Sequence, residues 1–260
     1  MMSISLKNLT RGKRIRAPKV VIYGGPKIGK STFASQIPGA VFIQTEEGLD
    51  ALDVTSFPLA TKYQHVLDAL RELSTQEHDF RAVVLDSLDW TETLLWDHLC
   101  QQHNVKSIEL VGGGFGKGYI EAVKLWRDLL DALDYLRNER GMVVVLIAHD
   151  ESRRMDPPDG EPYNYAALKL HKHAAAVVQE WSDCIGYATE KLFTRKDDVG
   201  FNKKHVRAIG SQNRVLVVGK NPAYVTGNRY GMPDEVPFDW SSFVNALADA
   251  TATPAAALAA

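Results

Sequence analysis

The octapeptide GGPKIGKS at residues 24–31 constrains this chain more than any other stretch. It follows the apolar run VVIY and precedes TFASQIP, a segment able to start a helix. Two glycines separated by four residues and followed by Lys-Ser let consecutive backbone N–H groups turn inward on a phosphate. A helix opening directly afterwards adds the positive end of its dipole. The spacing therefore predicts a nucleotide-phosphate cradle made of Gly24, Gly25, Pro26, Lys27, Ile28, Gly29, Lys30, Ser31 and Thr32. Lys30 is expected to reach the β- and γ-phosphates, and Ser31 to ligate Mg²⁺. The expected ligands are thus ATP and Mg²⁺.

The remaining chain reads as an α/β fold. Apolar runs at 19–23, 40–45, 80–86 and 142–149 predict four strands, alternating with helices at 30–36, 62–77, 87–103 and from about 119 to 140. Such alternation implies a mostly parallel sheet covered by helices on both faces. Residues 150–165, rich in charge, Pro and Gly, read as a loop, and 168–181 as a helix. Segments 184–193, 205–210 and 214–220 read as antiparallel strands, the last two joined by SQN. The expected organisation is a basic arm (1–18), a nucleotide-binding domain (19–245, with core 19–183 and β extension 184–245) and a low-complexity tail (246–260).

Charge and cysteine usage narrow the class. The whole chain carries a net −2, yet residues 1–45 hold eight Lys or Arg and no acid, which leaves the rest at about −10. A basic arm can meet a polyanion, neutralise an acidic neighbour or stand solvated. Two cysteines, Cys100 and Cys184, exclude a disulfide framework and fit a cytoplasmic setting. The longest apolar run, MVVVLIA at 142–148, is too short to span a bilayer.

Carboxylates near the cradle suggest chemistry. Asp86 ends the third predicted strand, at the sheet edge that carries the cradle, and is expected to assist Mg²⁺ binding. Acids in such places also cap helices, and Ser87 or Asp89 could serve as the cap. Glu46 and Glu47 stand just past the second strand, where one of them could orient an attacking water.

FIQTEEGLD (42–50) resembles the strand-to-loop segment of RecA-type recombinases, and that likeness implies Glu46 as the water-activating base, with Glu47 its rival. GGGFGKGY, the long stretch from IAHDESRRM to QEWSD, and GNRYGMPDEVPFDW resemble phage nucleotide-binding ATPases with a RecA-like core, which act in single-strand annealing and recombination. The resemblance implies a RecA-like P-loop NTPase in which His149, at the end of the fourth strand, senses the γ-phosphate. GNRYG (227–231) is similar to the Lys-Asn-Arg-Phe-Gly motif of the RadA group, with Gly227 in place of the lysine. Arg229 would then be a finger reaching the nucleotide of a neighbouring subunit, and Lys220 could replace the missing cation.

By the same likeness, two loops correspond to DNA-binding loops. The first (111–118) and its flank offer Phe115, Lys117 and Tyr119; the second (150–173) offers Arg153, Arg154, Lys169 and Lys172, with His171 and His173. Aromatic rings stack on bases while cations follow phosphates. The second loop also carries five acids, so a lid or a subunit contact competes for it. The implied function is a DNA-stimulated ATPase working on single-stranded DNA as a homo-oligomeric ring or filament, with a single-strand-binding protein as a further partner. The alternative is a nucleotide-gated replication accessory or helicase-loader-like protein that engages protein instead. A small-molecule kinase is third, since no acceptor pocket is evident.

Overall fold

The computed structural model describes residues 5–9, 11, 12, 16–198 and 204–252. Much of the basic arm and the last residues of the Ala-rich tail lie outside them. Strand β1 (Lys19–Gly24) leads through the cradle into α1 (Lys30–Ser35) and β2 (Ala40–Gln44). A short β3 (Thr55–Ser56), α2 (Tyr63–Thr75), β4 (Ala82–Asp86) and α3 (Leu88–Gln102) follow. After a 3-10 segment (Ile108–Gly113) come α4 (Lys117–Glu139), β5 (Val143–Met155), β6 (Tyr163–Leu168) and α5 (Lys172–Trp181). The chain continues through β7 (Cys184–Asp198), β8 (Lys204–Val217), β9 (Gly227–Asn228), β10 (Glu235–Pro237) and α6 (Trp240–Thr251).

The sheet order is β10-β8-β7-β1-β5-β4-β2-β3, with β6 on β5 and β9 on β7. Pairing is parallel from β3 to β7 and antiparallel for β7–β8 and β8–β10. This is the expected α/β architecture: a mostly parallel sheet flanked by helices, with antiparallel strands towards the C-terminus. Alternation along each central strand fills two cores. Val21, Tyr23, Val83, Leu85, Val144 and Leu146 face the core shared with α2, α3, α4 and α5. Val20, Ile22, Val84, Val145 and Ile147 face the core built with Phe33 of α1 and with Trp240 and Phe243 of α6. Both faces are covered, so the strands are apolar throughout rather than alternating with polar residues.

Three expectations need correction. Residues 150–165 are not a loop: β5 runs on to Met155 and pairs antiparallel with β6, from Asp150↔Leu168 to Met155↔Tyr163. Only the turn between them carries the Pro and Gly signals. Charged residues on a hairpin that leaves the sheet hide its period of two, and the helix expected from 168 begins only at Lys172. Second, the strands expected at 205–210 and 214–220 are one strand, β8, running through SQN. Third, β7 is antiparallel to β8 but also parallel to β1, so the parallel set has six members rather than four. The helix α5 supplies the crossover.

The end of the basic arm is anchored. Arg137 Nε donates to the Ala17 carbonyl at 2.6 Å, and Lys19, buried, pairs with Asp134 at 3.0 Å while lying 4.3 Å over the Trp181 ring. At the other terminus α6 extends into the Ala-rich stretch, and Ala246, Leu247 and Ala250 pack on the second core. Among the described residues, no helix is long and apolar enough to cross a membrane.

Candidate nucleotide site and the cavity beside it

Buried β1 delivers the chain to the sheet edge at Gly24, and α1 takes over at Lys30. The turn between them requires left-handed backbone. Gly29, the N-cap of α1, has φ 105°, and Lys27 has φ 64°. Phe33 N–H donates to the Gly29 carbonyl at 2.8 Å and closes the first helical turn. Lys30 is buried and folds back, its ammonium donating to the carbonyls of Gly24 (2.9 Å) and Gly25 (3.0 Å). Burial lowers its pKa, while Asp86, Asp150 and Glu46 pull the other way. An ammonium satisfied only by loop carbonyls gains when anionic phosphate oxygens enter beside it.

Ser31 Oγ donates to Asp86 Oδ2 at 2.6 Å. Burial raises the Asp86 pKa, and this hydrogen bond opposes the rise. A hydroxyl and a carboxylate side by side are the hard oxygen donors Mg²⁺ takes, in a site completed by phosphates and water. The donor set fits the ion. Among the described residues no cluster of three or more His, Cys, Asp or Glu able to hold a metal occurs.

β2 is clamped to β4 at this edge. Thr45 N–H donates to the Asp86 carbonyl at 2.7 Å, Thr45 Oγ1 donates to the Ser87 carbonyl at 2.8 Å, and Ser87 N–H returns a bond to Thr45 Oγ1 at 2.9 Å. Glu46 follows immediately, half-buried, with Oε1 3.9 Å from His149 Nδ1. Glu47 is exposed. The His149 ring is held by Asp89, at 3.1 Å from Oδ1 and 3.0 Å from Oδ2, and His149 N–H donates to the same carboxylate at 3.1 Å. These bonds raise the His149 pKa. Burial alone would raise Asp89, but the His149 bonds outweigh it and hold the carboxyl below its ordinary value. Lys30, Ser31, Glu46, Glu47, Asp86 and His149 line one cavity of about 490 Å³, together with the apolar Leu49, Ala51 and Leu52.

The family model described as an AAA domain matches residues 16–230, a span holding the cradle, Glu46, Asp86, His149 and Arg229. The chain belongs to the AAA domain family. A nucleotide-binding P-loop ATPase is the activity this membership carries, and the cavity has the groups for it. No curated protein matches the chain.

Sequence reasoning missed two residues of this AAA-domain site. From the sequence alone Asp89 reads only as a helix cap, yet its carboxylate takes His149, and only the placement of β5 beside α3 reveals it. Arg214 of β8 donates from Nη1 to the Ile28 carbonyl at 3.0 Å and packs where a Cβ on Gly29 would stand. It braces the cradle from behind, across 186 residues of chain.

The two loops assigned to DNA do not stay apart. Tyr119, Arg153, Lys169 and Lys172 line a second cavity of about 580 Å³, together with Trp90, Glu92, Trp96, Glu151 and His171. Tyr119 stacks on His171 with ring centroids 4.1 Å apart. Asp89 lines this cavity too, and Lys169 Nζ lies 3.9 Å from it. Not every expected cation is free. Arg153 is bound to Glu151 at 2.7 Å and to the Leu168 and Leu170 carbonyls, and Arg154 pairs with Asp156 at 2.9 Å. Phe115, with φ 57°, is 99% exposed, and Lys117 opens α4 nearby.

Arg229 lies elsewhere. It follows β9, which pairs with the start of β7, and its guanidinium meets Asp183 at 3.2 Å and the Glu180 carbonyl at 2.6 Å. Asp183 also holds Arg137 at 3.0 Å. This is the sheet edge opposite the cradle, so Arg229 does not reach the nucleotide cavity of its own chain. Lys220 is exposed beyond the end of β8.

Proposed function

We propose that this AAA-domain ATPase hydrolyses Mg-ATP while acting on single-stranded DNA, in recombination or annealing of the RecA-like kind. The observation that carries the reading is Asp89. Its carboxylate fixes His149 in the nucleotide cavity and also lines the second cavity, where aromatic and cationic side chains from both loops converge. ATP phosphates seat on the cradle N–H groups and Lys30. Ser31 and Asp86 would hold Mg²⁺, which when bound would supply positive charge to neutralise the phosphates. Glu46, half-buried next to His149, orients the attacking water and takes its proton. His149, placed between Glu46 and Asp89, reports the phosphate state to α3 and to the β5–β6 hairpin.

Homo-oligomerisation in a ring or filament belongs to the same proposal, because Arg229 can act only on a neighbour's nucleotide. A single-strand-binding protein is a fitting further partner. The test is the salt dependence of single-strand binding. Contacts from several cations predict that log Kd rises linearly with log salt, with a slope near 0.7 per neutralised phosphate. A slope near zero would contradict the reading.

The second reading, a nucleotide-gated accessory protein engaging another protein, has its own support. Leu110, Phe115 and Ile120, all strongly exposed, stand near the start of α4 and offer apolar surface that a protein partner could cover. Salt-insensitive, nucleotide-dependent association would favour it.

A further inference from the structure

The cavity beside the nucleotide site is more specific than a basic groove. Its volume of about 580 Å³ lies within the range of about 300–1,000 Å³ typical of small-ligand sites. Two rings, Tyr119 and His171, are already stacked in it at an interplanar angle of 10°, and Trp96 meets both edge-on. Trp90 lines the same cavity, is 47% exposed, and has no ring partner among the described residues. Lys169 and Lys172, both exposed, border it.

We propose that this cavity is a nucleobase pocket: one base of a single strand stacks on Trp90, with its flanking phosphates on Lys169 and Lys172. The inference rests on the single-stranded DNA reading and deepens it. An exposed indole without a ring partner loses little on pairing with a base, since every base presents a π face. Flat, polar-edged ligands suit a cavity whose walls are aromatic and whose rim is cationic. Lipid tails and plain apolar helices do not, because Glu92 and Asp89 sit inside it.

Glu92 supports the assignment. It is buried, accepts the His171 backbone N–H at 2.8 Å, and lines this cavity but not the nucleotide cavity. Burial pushes it up to about 7, against the pull of His171 N–H and the Trp126 indole. Near neutrality Glu92 therefore carries only part of its negative charge, which reduces its own share of the repulsion of an anionic strand and leaves a carboxyl able to donate as well as accept. The charged Asp89 beside it faces Lys169 at 3.9 Å.

The test compares two strands of equal length and phosphate count, one bearing bases and one abasic, by equilibrium binding to wild type, Trp90→Ala and Trp90→Phe. Trp90 is half exposed, so the substitutions leave the core intact. The pocket predicts roughly tenfold weaker binding of Trp90→Ala to the base-bearing strand. It also predicts unchanged binding to the abasic strand and recovery of most of the loss in Trp90→Phe. Equal affinity of Trp90→Ala and wild type for the base-bearing strand, or an equal loss on both strands, overturns the pocket alone. Absence of wild-type binding to either strand overturns the single-stranded DNA reading, and the pocket falls with it.

Discussion

Asp89 and Glu92 sit three residues apart on α3, yet their surroundings shift them in opposite directions. The His149 bonds win over burial at Asp89, whereas burial wins at Glu92. A carboxyl raised from 4.5 to about 7 keeps in the folded state a proton that the unfolded chain has lost. Stability must therefore fall as pH rises across that interval, by up to roughly 3 kcal/mol. Glu92→Gln should remove this slope, so urea unfolding should show the variant gaining on wild type from pH 5 to pH 8; parallel curves would contradict the assignment. The Asp89–His149 pair has the reverse acid limb. Its contribution is lost as pH falls through the lowered Asp89 value, and lost again as pH rises through the raised His149 value. Asp89→Asn should cost roughly 1–3 kcal/mol between those limits and less outside them, measured in the same titration. Gly29, Lys30 and Ser31 stand out in the sequence because a phosphate cradle fixes their spacing, and Asp86 because it ends an apolar run whose strand points to the same sheet edge. Asp89 does not, because an acid in a first helical turn is usually explained by the helix alone.

The elements show a similar division. Strands β1, β2, β4 and the start of β5 are apolar runs that only a doubly covered sheet explains, and they read directly. The β5–β6 hairpin leaves the sheet, loses its apolar signal at Asp150 and escapes detection. GGGFGKG looked like an open loop, yet Gly112, Gly113, Gly114, Phe115 and Gly116 all have positive φ and link a 3-10 turn tightly to α4. Gly118 marks how close that packing is. A Cβ there would collide with the Ile108 carbonyl oxygen and approach Val111 Cβ to 2.9 Å. Gly118→Ala should destabilise the protein by about 1–3 kcal/mol, the usual cost of overpacking. A denaturant midpoint equal to wild type would show the segment to be looser than the structure has it.

At the scale of the whole molecule, the sheet separates two edges. The register Val20↔Cys184 and Cys184↔Asn228 places Arg229 level with the start of β1, about 16 Å below Gly24 at about 3.3 Å per residue. Opposite edges of one chain can meet only in a head-to-tail assembly, the arrangement that forms rings and filaments. Wild-type turnover per chain should accordingly rise with protein concentration. Arg229→Ala should stay at the dilute value while still binding ATP, with at most about 1 kcal/mol lost from its half-exposed pair with Asp183. Concentration-independent turnover equal to wild type would show that Arg229 only staples β9 to β7. The GNRYG likeness already implies such an assembly; what residue patterns cannot give is the strand end that Arg229 occupies, which depends on the pairing of β9 with β7. The central claim is that one site burns ATP in response to a strand bound next door. Steady-state hydrolysis with and without a single-stranded oligonucleotide, with Lys30→Ala as background, tests it most directly. The account predicts clear stimulation by the strand in wild type and none in the variant; wild-type turnover unchanged by a saturating strand would contradict it.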